Sequence, residues 1–180
     1  MKACPESVFN DIQYLSREVV SAFPGTCVIK VDSILSFNPD VILPRLTHFS
    51  GSGGNGKTQK LVELMKVYPN LCATAPTHDA ADVISKKCGR QVYTYHNIFG
   101  IGCPPHIPNN TTQFAIDECS MLCEEHMTII DTNLRKHFNR PSEMYGGAQI
   151  IIFGDFCQLP PIAPLTPLVN NWDATRIRLL

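Results

Sequence analysis

The chain has 180 residues, of which 44% are hydrophobic and 17% are charged, and its formal net charge is −1. This composition is typical of a globular protein with one core, and the charge by itself does not indicate nucleic-acid binding. No stretch approaches the ~18 apolar residues that a membrane-spanning helix needs, so no membrane partner is expected.

The N-terminus and the cysteines indicate the compartment. The opening residues, MKACPESVFNDIQ, lack the apolar segment of a secretory signal and the arginine-rich character of a transit peptide. We therefore expect a nuclear or cytoplasmic protein, with the mitochondrion left open, and reduced thiols at the eight cysteines. Cys119 and Cys123 are separated by three residues, but without a matching second pair they do not predict a zinc site.

The first 45 residues predict few elements. Apolar residues recur at helical spacing over residues 7–23, which predicts a helix that ends at Pro24-Gly25. A short strand is predicted within residues 27–31. We assign residues 1–45 as an N-terminal extension of unknown role and residues 46–180 as the core domain.

From residue 46 onwards, apolar runs alternate with amphipathic segments. Strands are predicted at residues 46–49, 71–75, 91–96, 114–116 and 149–153, and helices at residues 57–67, 78–88 and 122–138. This alternation predicts an α/β fold with a mainly parallel sheet and helices on both faces. Two basic clusters, Lys86-Lys87 with Arg90 and Arg135-Lys136 with Arg140, are predicted to be solvated helix faces. The proline-rich segment after residue 159 predicts an extended tail.

The stretch GSGGNGKT at residues 51–58 fits the phosphate-loop pattern G-x-x-x-x-G-K-[ST]. Glycines allow the loop to curl so that backbone N–H groups point at phosphate oxygens, and the following helix adds the partial positive charge of its N-terminus. Lys57 is predicted to reach the β- and γ-phosphates of ATP, and the Thr58 hydroxyl to bind Mg²⁺. The candidate nucleotide-binding residues are Gly51, Ser52, Gly53, Gly54, Asn55, Gly56, Lys57 and Thr58.

An acidic pair follows the apolar run Phe114–Ile116. Ligands bind at the carboxyl ends of strands in open α/β sheets, so Asp117 is placed to hold Mg²⁺ and Glu118 to orient or deprotonate the attacking water. Without the phosphate loop, acids favoured by the dipole at a helix N-terminus would explain the pair equally well.

The segment GDFCQLPPI at residues 154–162 directly follows the predicted strand QIIIF. Asp155 and Gln158 leave the same edge of the sheet as the acidic pair. The Gln158 side chain is able to hydrogen-bond a γ-phosphate or the attacking water, which makes it a candidate catalytic residue. Taken alone, the segment is better explained as a polar turn before a proline-rich tail.

Together these stretches resemble superfamily 1 helicases of the Pif-one and RecD-like branch. The matching segments are GSGGNGKT (51–58), CATAPTHDAA (72–81), TYHNIFGIG (94–102), IDECSML (116–122) and FGDFCQLPPI (153–162). The resemblance covers roughly residues 46–180, and its strength lies in five motifs that occur in the family's order.

The resemblance implies a fold and an activity that spacing does not show. The fold would be a RecA-like P-loop NTPase domain, the first of two core domains. The activity would be ATP-dependent, 5′ to 3′ unwinding of DNA in repair, recombination and telomere maintenance. Pro76, Thr77 and His96 would line the track for single-stranded DNA, and single-stranded and forked DNA would be the partners.

The sequence also departs from the family. No glutamine-containing adenine-contact motif precedes the phosphate loop, and Gln13 lies too far upstream to take that role. The motifs of the second core domain, including the arginines that reach the γ-phosphate, are absent. We therefore expect the sequence to be part of a longer helicase. The alternative is a nucleotide- or DNA-binding domain that has no enzymatic activity.

Overall fold

The computed structural model describes residues 45–50 and 54–155, together with the backbone of three short strands at residues 13–14, 29–30 and 175–178. Six strands form one sheet in the order β5-β4-β6-β7-β3-β8. Every neighbouring pair in this sheet is parallel. None of the helices in these ranges is both long and apolar enough to cross a membrane.

The elements follow one another in a repeated strand–helix order. The strands of the large sheet are β3 (Leu46–Ser50), β4 (Cys72–Ala75), β5 (Tyr93–Thr94), β6 (Gln113–Ile116), β7 (Gln149–Gly154) and β8 (Thr175–Arg178). The helices are α1 (Lys57–Val67), α2 (His78–Cys88), α3 (Tyr95–Phe99) and α4 (Glu124–His137), with 3-10 turns at Cys119–Met121 and Met144–Gly147. A separate antiparallel pair joins β1 (Gln13–Tyr14) to β2 (Ile29–Lys30).

Two apolar cores cover the two faces of the sheet. Along β7 the side chains alternate, so that Ile151 and Phe153 pack with α1 and α2, whereas Ile150 and Ile152 pack with α3 and α4. Successive side chains of a strand point to opposite faces, and a strand that is buried on both faces is therefore apolar throughout. The predicted α/β fold with helices on both faces is confirmed.

Local sequence signals account for the helix ends. Thr77 precedes α2, and its hydroxyl accepts a 3.2 Å hydrogen bond from the Ala80 amide, while Gly89 ends the helix in the left-handed conformation with φ 68°. Thr94 begins α3 in the same way, by accepting from the Asn97 amide. These caps fix the helix starts at the carboxyl ends of β4 and β5.

Three predicted segments differ from the structure. The helix predicted over residues 7–23 is wrong at Gln13–Tyr14, which forms a strand because it pairs with Ile29–Lys30; the rest of that segment lies outside the described residues. The strand predicted over residues 91–96 is confined to Tyr93–Thr94, because the Thr94 cap starts a helix at the next residue. The predicted tail contains β8, which pairs with β3.

Candidate nucleotide-binding site

The phosphate-loop pattern lies between the carboxyl end of β3 and the start of α1. Gly54 and Gly56 have φ angles of 84° and 74°, a conformation that side chains with a Cβ rarely adopt. Gly56 also accepts a 2.8 Å hydrogen bond from the Lys60 amide, so α1 begins directly at the loop. Gly51, Ser52 and Gly53 lie outside the described residues.

Lys57 and Thr58 occupy the first turn of α1. Lys57 is only 7% exposed. Burial raises the pKa of both Asp117 and Cys119, and the charge of Lys57 opposes this rise. A cation at a helix N-terminus opposes the helix dipole. Its burial there is consistent with a site that receives a strongly anionic group.

Thr58 is in contact with the first of the two predicted acids. Its hydroxyl donates a 3.0 Å hydrogen bond to Oδ2 of Asp117, and Oδ1 of Asp117 accepts from the Glu118 amide at 3.1 Å. Asp117 is 3% exposed, and its backbone amide donates to the Thr74 carbonyl at 2.9 Å. Burial raises the pKa of this carboxyl, and the two hydrogen bonds oppose that rise.

Glu118 follows with an unusual backbone conformation. Its φ and ψ are 54° and 57°, in the left-handed region that costs a residue with a Cβ about 1–2 kcal/mol. The side chain is half-buried, and the 3-10 turn at Cys119–Met121 begins immediately after it. Strain of this kind concentrates at functional sites, which is consistent with the catalytic role predicted for this residue.

A buried junction behind the acids was not predicted from the sequence. His48 Nε2 lies 3.2 Å from the Gly154 carbonyl oxygen and 3.6 Å from Cys119 Sγ. A Cβ on Gly154 would approach the Cys119 amide nitrogen and Sγ to 2.6 Å. The junction therefore packs the ends of β3 and β7 against the residue that follows Glu118.

The sequence carries little signal for this junction. Burial, together with nearby acids, raises the pKa of the Cys119 thiol, so this cysteine acts as a small protonated packing group. No sequence motif links His48, within a short strand, to Cys119, which follows the acidic pair, so their contact could not be predicted. Only Gly154, between an apolar strand and Asp155, marks a place where two backbones approach closely.

The residues predicted to bind DNA follow β4 and β5, at the carboxyl edge of the sheet. Ala75 of β4 is paired with Thr94 of β5, so Thr77 and His96 each lie two residues beyond a paired position. Pro76 is half-buried and Thr77 is exposed. The His96 ring stacks on Tyr95 with centroids 4.4 Å apart, and burial lowers the pKa of His96. Contact of these three residues with DNA stays a prediction.

Gln158, the remaining candidate, lies outside the described residues. Asp155, three residues earlier, directly follows β7 and is half-buried. Because β7 lies between β3 and β6 in the sheet, Asp155 lies at the carboxyl end of the strand between the two that precede the phosphate loop and the acidic pair.

The donor atoms of the site fit a magnesium ion. The Thr58 hydroxyl and an Asp117 carboxylate oxygen are 3.0 Å apart, and both are the hard oxygen ligands that Mg²⁺ prefers. Magnesium is commonly held by one or two such protein ligands together with waters and nucleotide phosphates. Among the residues that the structure describes, no group of three or more His, Cys, Asp or Glu side chains is placed to hold a metal alone.

The sheet, the loop and the acidic pair define a P-loop nucleotide-binding domain, and comparisons with known proteins identify its family. The family described as "AAA domain" matches residues 41–164, more than half of the chain. A similar curated protein is ATP-dependent DNA helicase PIF1 of Saccharomyces cerevisiae (strain YJM789), which is 31% identical over an alignment of 138 residues; the match covers 64% of this chain and 15% of that protein.

Solved structures agree with this assignment. Bacteroides sp Pif1 in complex with ADP-AlF4 has a TM-score of 0.58 and 26% identity, over 74% of this chain and 37% of that chain. Bacteroides Pif1 bound to ssDNA has a TM-score of 0.54 and 26% identity, over 74% of this chain and 38% of that one. The chain belongs to the AAA domain family, and it is similar to one part of the Pif1 DNA helicases. It spans much less than two thirds of the length of these relatives.

Proposed function

We propose that the chain is the first RecA-like core domain of an ATP-dependent, 5′ to 3′ DNA helicase, which works together with a second core domain. The observation that carries this proposal is the 3.0 Å hydrogen bond from Thr58 to Asp117. It joins the first turn of the phosphate-loop helix to the acid at the end of β6, as a Mg–ATP site requires.

Each residue of the proposed site has a separate role in ATP hydrolysis. Lys57 binds the β- and γ-phosphates, and Thr58 and Asp117 hold Mg²⁺, which neutralises developing phosphate charge when it is bound. Glu118 orients the attacking water and accepts its proton. Gln158 hydrogen-bonds the γ-phosphate or the attacking water, so its contacts differ between bound ATP and bound ADP.

The DNA track lies on the adjacent part of the carboxyl edge. Pro76 and Thr77 follow β4, and His96 follows β5, which pairs with β4. A related protein of known structure is described as Pif1 bound to ssDNA, which supports single-stranded DNA as the partner, with forked DNA as the substrate for unwinding. Repair, recombination and telomere maintenance are the processes that we infer, in the nucleus or cytoplasm.

A second candidate function is nucleotide and DNA binding without turnover. The two candidate functions differ in whether an arginine from a second core domain reaches the γ-phosphate. In other P-loop enzymes such an arginine accelerates hydrolysis by about 10³–10⁵-fold. A domain that lacks it would bind Mg–ATP and hydrolyse it slowly or not at all.

The test is Mg²⁺-dependent ATP hydrolysis and ATP binding by the chain, with and without single-stranded DNA, beside Lys57→Ala and Glu118→Gln. Turnover that rises with DNA and is lost in both variants supports the helicase motor. Binding that is lost in Lys57→Ala, without turnover in the unmodified chain, means either that the chemistry needs the second core domain or that the chain is a binding domain without enzymatic activity. If the unmodified chain fails to bind ATP, both functions are wrong.

A further inference from the structure

Three aromatic side chains pack together beyond the carboxyl ends of β5 and β6. The ring of His96 stacks on that of Tyr95 with centroids 4.4 Å apart. The centroid of the His126 ring lies 5.8 Å from that of Tyr95 and 5.2 Å from that of His96, and the planes of the two imidazoles meet edge-on at 75°. Tyr95 is 1% exposed, and its hydroxyl donates to the Met121 carbonyl at 3.4 Å. A buried and anchored tyrosine thus supports two imidazole rings that are both partly exposed.

The His126 ring is not explained by the stability of the fold. Its Nδ1 atom is buried and makes no hydrogen bond to any residue that the structure describes. Burying a polar nitrogen without a partner destabilises a protein, and a leucine would fill the same space without this cost. A side chain that lowers the stability of the fold in this way is a candidate for function.

Burial is the main reason why the His126 ring favours its neutral form. Burial and the adjacent His96 lower the pKa of His126, and the carboxylate of Glu125 in the same turn of α4 opposes this effect. Cys123 is also adjacent, since its Sγ accepts a 3.4 Å hydrogen bond from the His126 amide. Two uncharged rings therefore lie in contact, one edge-on to the other, and both are partly open to solvent.

The position of the two imidazole rings beside the proposed DNA track indicates which ligand they bind. His96 and Thr77 each lie two residues beyond the paired positions Thr94 and Ala75, and the His126 ring contacts the ring of His96, which is one of the residues assigned to the track. Aromatic rings in such a track bind nucleic-acid bases by stacking, and every base offers a face to stack on.

We propose that His126 is a second base-stacking residue for single-stranded DNA, and that with His96 it forms a two-ring platform on the buried Tyr95. This inference rests on the proposed function, because it needs single-stranded DNA to bind at this edge. It assigns to the first turn of α4 a contact that neither the motifs nor the family resemblance indicate. A base binds the exposed parts of the rings, so the ring shape is required and a hydrogen bond from the imidazole is not.

The experiment compares two substitutions that separate ring stacking from side-chain volume. The full chain, His126→Phe and His126→Leu are titrated with a single-stranded oligonucleotide that carries 2-aminopurine, and affinity and fluorescence quenching are followed. We expect His126→Phe to bind within about twofold of the unmodified chain. We expect His126→Leu to bind about tenfold more weakly, with reduced quenching, which corresponds to the loss of one stacked base.

Control variants come from the other end of the same helix. His137 lies in the last turn of α4, and its ring is edge-on to Phe138 at 4.8 Å. His137→Phe and His137→Leu should leave DNA affinity unchanged. ATP affinity and the melting temperature of His126→Leu should match those of the unmodified chain or exceed them, so that weaker DNA binding does not reflect unfolding.

Each contrary result has its own meaning. The inference is overturned if His126→Leu binds DNA as well as the unmodified chain, or if His126→Phe and His126→Leu lose affinity equally. If the unmodified chain binds no single-stranded DNA, the proposed DNA track fails, and the inference fails with it. If the unmodified chain binds DNA and His96→Ala weakens that binding while His126→Leu does not, only the inference fails.

Discussion

The Thr58 hydroxyl donates a 3.0 Å hydrogen bond to Asp117, a residue 59 positions further along the chain. Thr58 follows β3 and Asp117 follows β6, and these two strands are not neighbours, since β7 lies between them. The bond therefore reaches across the end of β7. It connects the first turn of the phosphate-loop helix directly to the acidic pair.

This bond also contributes to the stability of the domain. Thr58→Val keeps the side-chain shape but removes the donor from a nearly buried carboxylate, and we expect the free energy of unfolding to fall by about 1–3 kcal/mol. Thr132→Val is the matched control, because its exposed hydroxyl donates only to the Thr128 carbonyl in the same helix. Urea unfolding of both variants gives the comparison, and equal stabilities would contradict the prediction.

Gly154 is predicted to tolerate no side chain. In Gly154→Ala the new Cβ would meet the Cys119 amide nitrogen and Sγ at 2.6 Å, and we expect a loss of about 3 kcal/mol from the resulting strain. Gly89 also has positive φ, 68°, but open space around it, so Gly89→Ala should cost only about 1 kcal/mol. Thermal unfolding should show the difference; a Gly154→Ala variant as stable as Gly89→Ala would argue against the buried junction.

Arg90 is predicted to be structural. Its guanidinium donates to the Met65 carbonyl at 3.1 Å and to the Leu71 carbonyl at 2.8 Å, so it joins the end of α1 to the start of β4. Arg90→Met leaves two carbonyls without these donors and should destabilise the domain by about 1–3 kcal/mol. Lys86→Met on the exposed face of α2 is the control and should change the stability by less than about 0.5 kcal/mol.

The stability of the domain is expected to fall under mildly acidic conditions. Burial lowers the pKa of His96 and of His126 from the ordinary 6.5, so the unfolded chain binds protons at a higher pH than the folded one does. The contribution of these neutral rings is fully present above about pH 6.5 and is lost as the pH falls below that value. Urea unfolding between about pH 5 and pH 8 measures this loss. His126→Leu should reduce the slope, and an unchanged slope would contradict the assignment.

The parts of the fold that follow local patterns were predictable. The helices over Lys57–Val67 and His78–Cys88 have the predicted ends, since Gly56 and Thr77 start them, and Pro69 and Gly89 lie just beyond their last residues. The strand Gln149–Gly154 was evident from its apolar run. Local sequence decides these elements, and the tertiary structure agrees with it.

The remaining features depend on partners that are distant in sequence. Two-residue strands such as Tyr93–Thr94 are too short for any periodicity to reveal, and β8 is a strand because β3 lies beside it. Arg90 was predicted to lie on a solvated helix face, and this prediction was wrong. Its two carbonyl acceptors belong to other elements, so the local sequence does not reveal them. The left-handed backbone of Glu118 and the contact of His48 with Cys119 likewise arise only when β3, β6 and β7 have been brought together.

We propose that Thr58 and Asp117 form the metal-dependent part of an ATP site. The direct measurement is the affinity for ATP, with and without Mg²⁺, of the unmodified chain, Thr58→Val, Asp117→Asn and the control Thr132→Val. We predict that Mg²⁺ tightens ATP binding to the unmodified chain and to Thr132→Val. In Thr58→Val and Asp117→Asn the metal should have little effect, while the metal-free affinity changes by less than about threefold. Binding that does not depend on Mg²⁺, or a full metal effect in both site variants, would contradict the claim.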